Sequence, residues 1–319
     1  MPTAPVNGVE INYEVVGRRG PWVAILQGGR HSLLSVWSHA QALAAHGYRV
    51  LLHDPRNSGG SSLDFDSPES EEDVGAADLD ALLRHLDAPP AILIGQSRGA
   101  RVALRVALRY LHAVRGLVFW GLSGGPLATR YLDNMYYLQY VRAAQGGGMS
   151  AVCDLEHFRT LLKTRPDQRQ VLLEQDPAQF VEAMVRWREA FLVDSDAPVM
   201  GVSDDDLRRI DVPTAIAPLF DRLHPYAVAV HAHGLIRESC FVDSEPARRV
   251  DEHTSPPGST REVGRVAEIL RDHQARVAHR SSLRRLGAKL IGPVRRADGR
   301  IWAILRGPID AFHRWEASR

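Results

Sequence analysis

A chain of 319 residues, 45% apolar and 24% charged, suits one large α/β domain with an inserted subdomain or two small domains, and its composition is that of a globular protein. A formal net charge of +1 gives no reason to expect a nucleic-acid partner. Cys153 and Cys240, the two cysteines, form no C-x-x-C pair, which argues against a disulfide framework or a zinc knuckle, and no run approaches the ~20 apolar residues of a membrane span. The opening Met1-Pro2-Thr3-Ala4-Pro5 lacks the basic and apolar regions of a signal peptide, so the expected location is cytoplasmic.

In chain order, Val9 to Val16 reads as a strand behind the turn-prone Asn7-Gly8, suggesting an antiparallel hairpin at the start. Strands are predicted at Trp22 to Leu26, Tyr48 to His53, Ala91 to Ile94 and Leu117 to Trp120. Helical patterns lie between them at Val36 to Ala45, Val74 to Leu86 and Arg98 to Leu111. This alternation indicates βαβ units and a mostly parallel, doubly wound α/β sheet. From about Pro126 to Arg209 only helical segments are evident, at Tyr131 to Ala144, Leu155 to Leu162 and Ala178 to Leu192. Strand signal returns at Pro213 to Phe220 and around Cys240 to Val242, followed by a helix from Thr260 to Arg276. The expected domains are a core of 1–125 and 210–276, an inserted helical cap over 126–209, and a basic extension over 277–319. Within the extension, Lys289 to Arg306 has the pattern of a hairpin around Asp298-Gly299, read as a surface appendage or oligomer contact.

Gly95-Gln96-Ser97-Arg98-Gly99 matches G-x-S-x-G between an apolar strand and an amphipathic stretch with Val102, Val106 and Tyr110 at i, i+4, i+8. A serine nucleophile needs this setting. The turn is sharp, so small residues must flank it, and the hydroxyl is then lifted towards substrate and base. Gly121-Leu122-Ser123-Gly124-Gly125 is a second match, but Pro126 follows at once and no clean helix begins at Gly124. Ser97 is therefore the expected nucleophile.

With these features the chain resembles the α/β-hydrolase superfamily over roughly residues 5–276. Gln27-Gly28-Gly29-Arg30 stands where that family usually has His-Gly-Gly, and Asp54-Pro55-Arg56-Asn57-Ser58-Gly59-Gly60-Ser61 is similar to its D-x-R-G-x-G-x-S loop. The resemblance implies that Ser97 attacks a carbonyl carbon and that backbone N–H groups of Gly29 and Arg98 form the oxyanion hole. Asp54 and Arg56 are expected to hold loops together. The strand ending at Asp221 supplies the triad acid, and Ser–acid–His chain order points to His253 as the base, with His224 as its rival. The Arg98 side chain either attracts an anionic substrate group or covers the helix N-terminus.

Gln27, His31, Tyr136 and Tyr140 are candidate substrate contacts, the tyrosines with helix packing as the competing reading. His231 and His233, two apart, would point to different faces of a helix, and no metal site is expected. The implied activity is cofactor-free hydrolysis of a small ester, lactone, amide or C–C bond by a monomer or homo-oligomer. A non-hydrolytic member of the superfamily (oxygenase, lyase, perhydrolase or receptor) is the alternative.

Overall fold

The computed structural model describes residues 1–193 and 195–241. The predicted helix over 260–276, the hairpin over 289–306, the basic extension over 277–319 and His253 lie outside the described residues.

Among the described residues, eight strands form one sheet: β1 (Thr3–Val6), β2 (Val9–Val16), β3 (Trp22–Leu26), β4 (Arg49–His53), β5 (Ala91–Gln96), β6 (Val114–Trp120), β7 (Thr214–Ala217) and β8 (Ser239–Phe241). Their spatial order is β1-β2-β4-β3-β5-β6-β7-β8. The pairs β1·β2 and β2·β4 are antiparallel, and every other pair is parallel. Asn7 and Gly8 take φ of 47° and 80°, the positive values of the tight hairpin turn expected between β1 and β2.

Both faces of the sheet are covered. On one, Ala24, Leu26, Leu93, Leu117 and Phe119 pack with apolar residues of α2 (Glu71–His85) and α3 (Arg98–Arg109). On the other, Val23, Ile25, Val50, Leu52 and Ile94 meet Ala40 and Leu43 of α1 (Trp37–Ala45). Successive strand residues point to opposite faces and both faces are buried. That is why the strands read as continuous apolar runs.

Two element boundaries show what hydrophobic patterning misses. Helix α2 begins at Glu71, ahead of the predicted Val74, because Ser70 caps it and three acids fill its first turn. Acidic groups at this end favour the helix dipole although they carry no apolar signal. Helix α10 (Tyr226–Leu235) has no strongly polar face, so it offers no amphipathic stripe to read.

Between β6 and β7 come α4 (Pro126–Asp133), a π-helical turn (Asn134–Leu138), α5 (Gln139–Cys153), α6 (Glu156–Thr164), α7 (Gln168–Leu173), α8 (Pro177–Leu192) and α9 (Asp204–Arg209). The block has its own apolar core, built around Tyr137, Tyr140, Phe158, Phe180, Met184, Trp187 and Phe191. It docks on the loop after β4: His157 Nε2 lies 2.8 Å from the Asn57 carbonyl, Arg165 donates to Gly60 O at 2.7 Å and Trp187 Nε1 to Ser67 O at 3.2 Å. Phe65 of that loop enters the block's core. The block therefore sits at the C-terminal edge of the sheet. No helix among the described residues is long and apolar enough to cross a membrane.

Candidate active site

From β3 the chain moves to β4 on one side, and it later returns to β5 on the other. The loops leaving β3 and β5 therefore diverge at their C-terminal ends, the crevice in which open α/β sheets place ligands. Gln27 to Arg30 follow β3, and Ser97 follows β5.

Ser97 has φ 50° and ψ −112°, a conformation that non-glycine residues avoid. Packing enforces it. A Cβ on Gly95 would come within 2.5 Å of the Ala100 Cα, and one on Gly99 within 2.2 Å of the Leu26 carbonyl. Helix α3 can therefore rise directly from the strand end only because both neighbours are glycine. The Ser97 N–H donates to Trp120 O at 3.0 Å, tying the turn to β6. Since Ser97 is the N-cap of α3 and makes no side-chain cap bond, its hydroxyl is free for other partners.

That partner is His224. Its Nε2 lies 2.8 Å from Ser97 Oγ, and its Nδ1 lies 2.9 Å from Asp221 Oδ2. A carboxylate can only accept, so Nδ1 carries the hydrogen and Nε2 is left as the acceptor for the serine proton. Asp221 Oδ1 also accepts from the backbone N–H groups of Leu223 at 2.8 Å and His224 at 2.9 Å. These bonds fold the D-x-x-H loop so that the ring turns back over its own carboxylate. Burial works against the Asp221 charge. The His224 ring and the two backbone donors outweigh it and hold the carboxyl below the usual range. Gly121, with φ 68°, leaves room for this loop: a Cβ there would meet Leu219 at 2.5 Å and His224 at 3.4 Å.

The structure thus brings together Ser97, Asp221 and His224. The base favoured by chain order, His253, lies outside the described residues; the imidazole placed on Ser97 is the rival, three residues after the acid. The signal that could have singled it out is local. An aspartate that accepts the N–H groups two and three residues on brings the i+3 side chain within its reach.

The remaining candidates divide. Loop 28–29 lies beside the elbow, since a Cβ on Gly28 would touch the Gln96 side chain at 3.4 Å. Arg98 is the first residue of α3, where backbone N–H groups have no intrahelical partner. Gln27 is buried, and its amide donates to the carbonyls of His31 at 3.1 Å and His53 at 3.0 Å, which braces the loop. His31 is exposed beside Gly29. Tyr136 and Tyr140 are buried, and their rings lie 5.4 and 5.1 Å from the Arg30 guanidinium. The Arg98 side chain fits neither expectation: it is buried and paired with Glu71 at 3.3 Å. Asp54 and Arg56 hold loops as expected. Asp54 accepts from Leu33 N, Asn12 Nδ2 and Gly60 N, and Arg56 grips both Asp78 oxygens. His231 pairs with Asp204 and His233 with Ser239, and no cluster fit to hold a metal ion occurs among the described residues.

Comparison with known proteins bears on the fold. Residues 21–146 match the family described as alpha/beta hydrolase fold. The chain is 32% identical over 148 residues to epoxide hydrolase A of Mycobacterium tuberculosis, a match covering 42% of this chain and 45% of that protein. The chain thus spans less than half of that relative. Among solved structures it is similar to the enol-lactonase from Burkholderia xenovorans LB400, with TM-score 0.52, 20% identity and coverage of 75% of this chain and 90% of that one. An esterase from Exiguobacterium antarcticum gives TM-score 0.51 and 19% identity, covering 74% and 87% of the two chains.

Proposed function

We propose that this chain, which belongs to the α/β-hydrolase superfamily, is a serine hydrolase acting on a small carboxylic ester or lactone, with Ser97, His224 and Asp221 as its triad. The observation that carries this reading is the 2.8 Å contact between His224 Nε2 and Ser97 Oγ, with Asp221 on the far nitrogen of the same ring.

Ser97 Oγ attacks the carbonyl carbon as its proton passes to His224 Nε2. The carbonyl oxygen becomes an oxyanion beside the backbone N–H groups of Gly29 and Arg98, fixed donors of the kind that lower such barriers most. Asp221 holds the ring in its productive tautomer and stabilises the imidazolium. Collapse expels the alkoxide, which takes the proton from His224 and leaves Ser97 acylated. Water then gives a proton to His224 and attacks the acyl carbon, and collapse expels Ser97 Oγ, which takes that proton back from His224 as the acid is released. The helical block between β6 and β7 serves as the cap. It contributes an aromatic roof over the loops that follow β3 and β4.

The similarity to an epoxide hydrolase supports hydrolysis as the reaction class. The side chain on the elbow argues for a carbonyl substrate. Opening an epoxide with Ser97 would leave an ether, which has no carbonyl for water to attack, whereas an acyl-serine has one.

The test is intact-mass analysis after treatment with a fluorophosphonate, on wild type and on Ser97→Ala, His224→Ala and His253→Ala. The expected result is one adduct on the wild type, none on Ser97→Ala, labelling of His224→Ala slowed by roughly 10³-fold or more, and His253→Ala unchanged. Wild-type labelling of His224→Ala together with loss in His253→Ala would overturn the assignment of the base.

A further inference from the structure

Two arginines stand beside the two proposed oxyanion donors: Arg30 directly follows Gly29, and Arg98 itself carries the other N–H. Their side chains converge on one carboxylate. Arg30 Nη2 donates to Glu71 Oε2 at 3.0 Å, and Arg98 Nη2 lies 3.3 Å from Glu71 Oε1. All three side chains are at least nine-tenths buried. Tyr137 Oη adds a contact to Oε2 at 3.4 Å, and the faces of Tyr136 and Tyr140 close over the Arg30 guanidinium. Glu71 is itself fixed, in the first turn of α2 behind the Ser70 cap.

A buried pair of this kind is a weak source of stability, because desolvating the ions offsets most of their attraction. What it supplies is geometry. The loop after β3 and the start of α3 are separate segments, yet an oxyanion hole works only if both donors hold fixed positions relative to the serine. We infer that Glu71 is a positioning residue that clamps the two halves of the oxyanion hole together through Arg30 and Arg98. The inference rests on the Ser97 mechanism proposed above. It assigns Glu71 no contact with substrate.

The chemistry expected of such a residue is specific. Loosening the clamp weakens binding of the tetrahedral species and leaves ground-state binding of the ester nearly intact. The test measures, on the full chain, hydrolysis of a p-nitrophenyl ester and inhibition by a trifluoromethyl ketone that adds to Ser97 as a hemiketal. Glu71→Gln preserves the side-chain shape but removes the charge that both arginines share. The expected result is a fall in kcat of roughly 10- to 100-fold, with KM within about threefold. The ketone's inhibition constant should rise by the same factor as kcat falls. Arg30→Met, which leaves the Arg98–Glu71 pair in place, should give a smaller change in the same direction. It also serves as the readout if Glu71→Gln does not fold.

A folded Glu71→Gln protein whose kcat and ketone affinity stay within twofold of wild type overturns the inference. So does a variant that loses thermal stability while its folded fraction keeps full kcat, since that would mean a purely structural ion pair. Failure of the Ser97 mechanism looks different. There the wild type itself would show no hemiketal and no turnover dependent on Ser97.

Discussion

Two adjacent parallel strands, β5 and β6, each run into a G-x-S-x-G sequence, and the structure treats the two serines in opposite ways. Ser97 is held at positive φ with its hydroxyl on an imidazole. Ser123 is 1% exposed, and its Oγ is among the buried atoms without a hydrogen-bond partner. Both motifs have tightly packed glycines, so close packing alone does not distinguish them. What differs is the neighbour. Gly95 and Gly99 press a helix onto the strand end, whereas a Cβ on Gly124 would run into the Pro198 carbonyl at 2.0 Å, a loop contact that shuts the serine in. A helix drawn against a strand offers an exposed turn and free N–H groups, and a loop folded across one offers neither.

The sharpest way to break the comparison is through the relay that only Ser97 possesses. Asp221→Asn keeps the shape of the loop but lets His224 adopt the wrong tautomer. A fall in kcat of about 10⁴ is expected in ester hydrolysis, with the fold intact by circular dichroism. Next comes Gly99→Ala. Its methyl group meets the Leu26 carbonyl at 2.2 Å, so α3 must retreat from β3. That should reduce stability by ~3 kcal/mol in urea unfolding and lower kcat in the protein that remains folded.

A pH series probes the elbow's surroundings. His53, whose carbonyl braces Gln27, and His157, which docks the helical block, are both shifted by burial from 6.5 to about 4. They stay neutral in the folded chain while the unfolded chain takes up protons near 6.5, so the unfolded state binds more protons between those values. Stability is therefore full above pH 6.5 and falls as pH drops towards 4, by about 1.4 kcal/mol per pH unit for each histidine. Glu71 is depressed from 4.5 to about 2, chiefly by Arg30 and Arg98 acting against its burial. It extends the loss in the same direction from pH 4.5 downwards. Urea midpoints measured from pH 7 to 3 check the window, and His53→Gln should flatten its upper part. Pro198 and Val228, which lie against Gly124, do not titrate. The smallest effect is expected of Ser123→Ala. Removing a buried, unpartnered hydroxyl should leave turnover unchanged and shift stability by no more than about 0.5 kcal/mol, upwards if at all.

The same contrast shows what the chain made legible. Strand positions and the Ser97 elbow were readable because they depend on local periodicity and on glycines at fixed spacing, and Asp221 stood out by its place just after the predicted strand over 213–220, of which β7 forms only Thr214–Ala217. The imidazole that meets Ser97 was not readable. Chain order favours His253, which lies outside the described residues, whereas the backbone hydrogen bonds of Asp221 fold His224 onto Ser97. The role of Arg98 was hidden for a related reason: Glu71 is 27 positions away on another helix, and its carboxylate looks like an ordinary first-turn acid. Tyr136 and Tyr140 matched both helix packing and ligand contact. Burial over Arg30 sets them in the framework.

The proposed acid and base occupy one four-residue turn, Asp221 to His224, joined by two backbone bonds and a ring contact. The dyad is therefore a single mechanical part. A displacement of the turn carries carboxylate and imidazole away from Ser97 as a unit, with their mutual bond and tautomer unbroken. Activity would then switch off without leaving a half-assembled relay, and it would return by one rigid movement instead of the separate recovery of two loops.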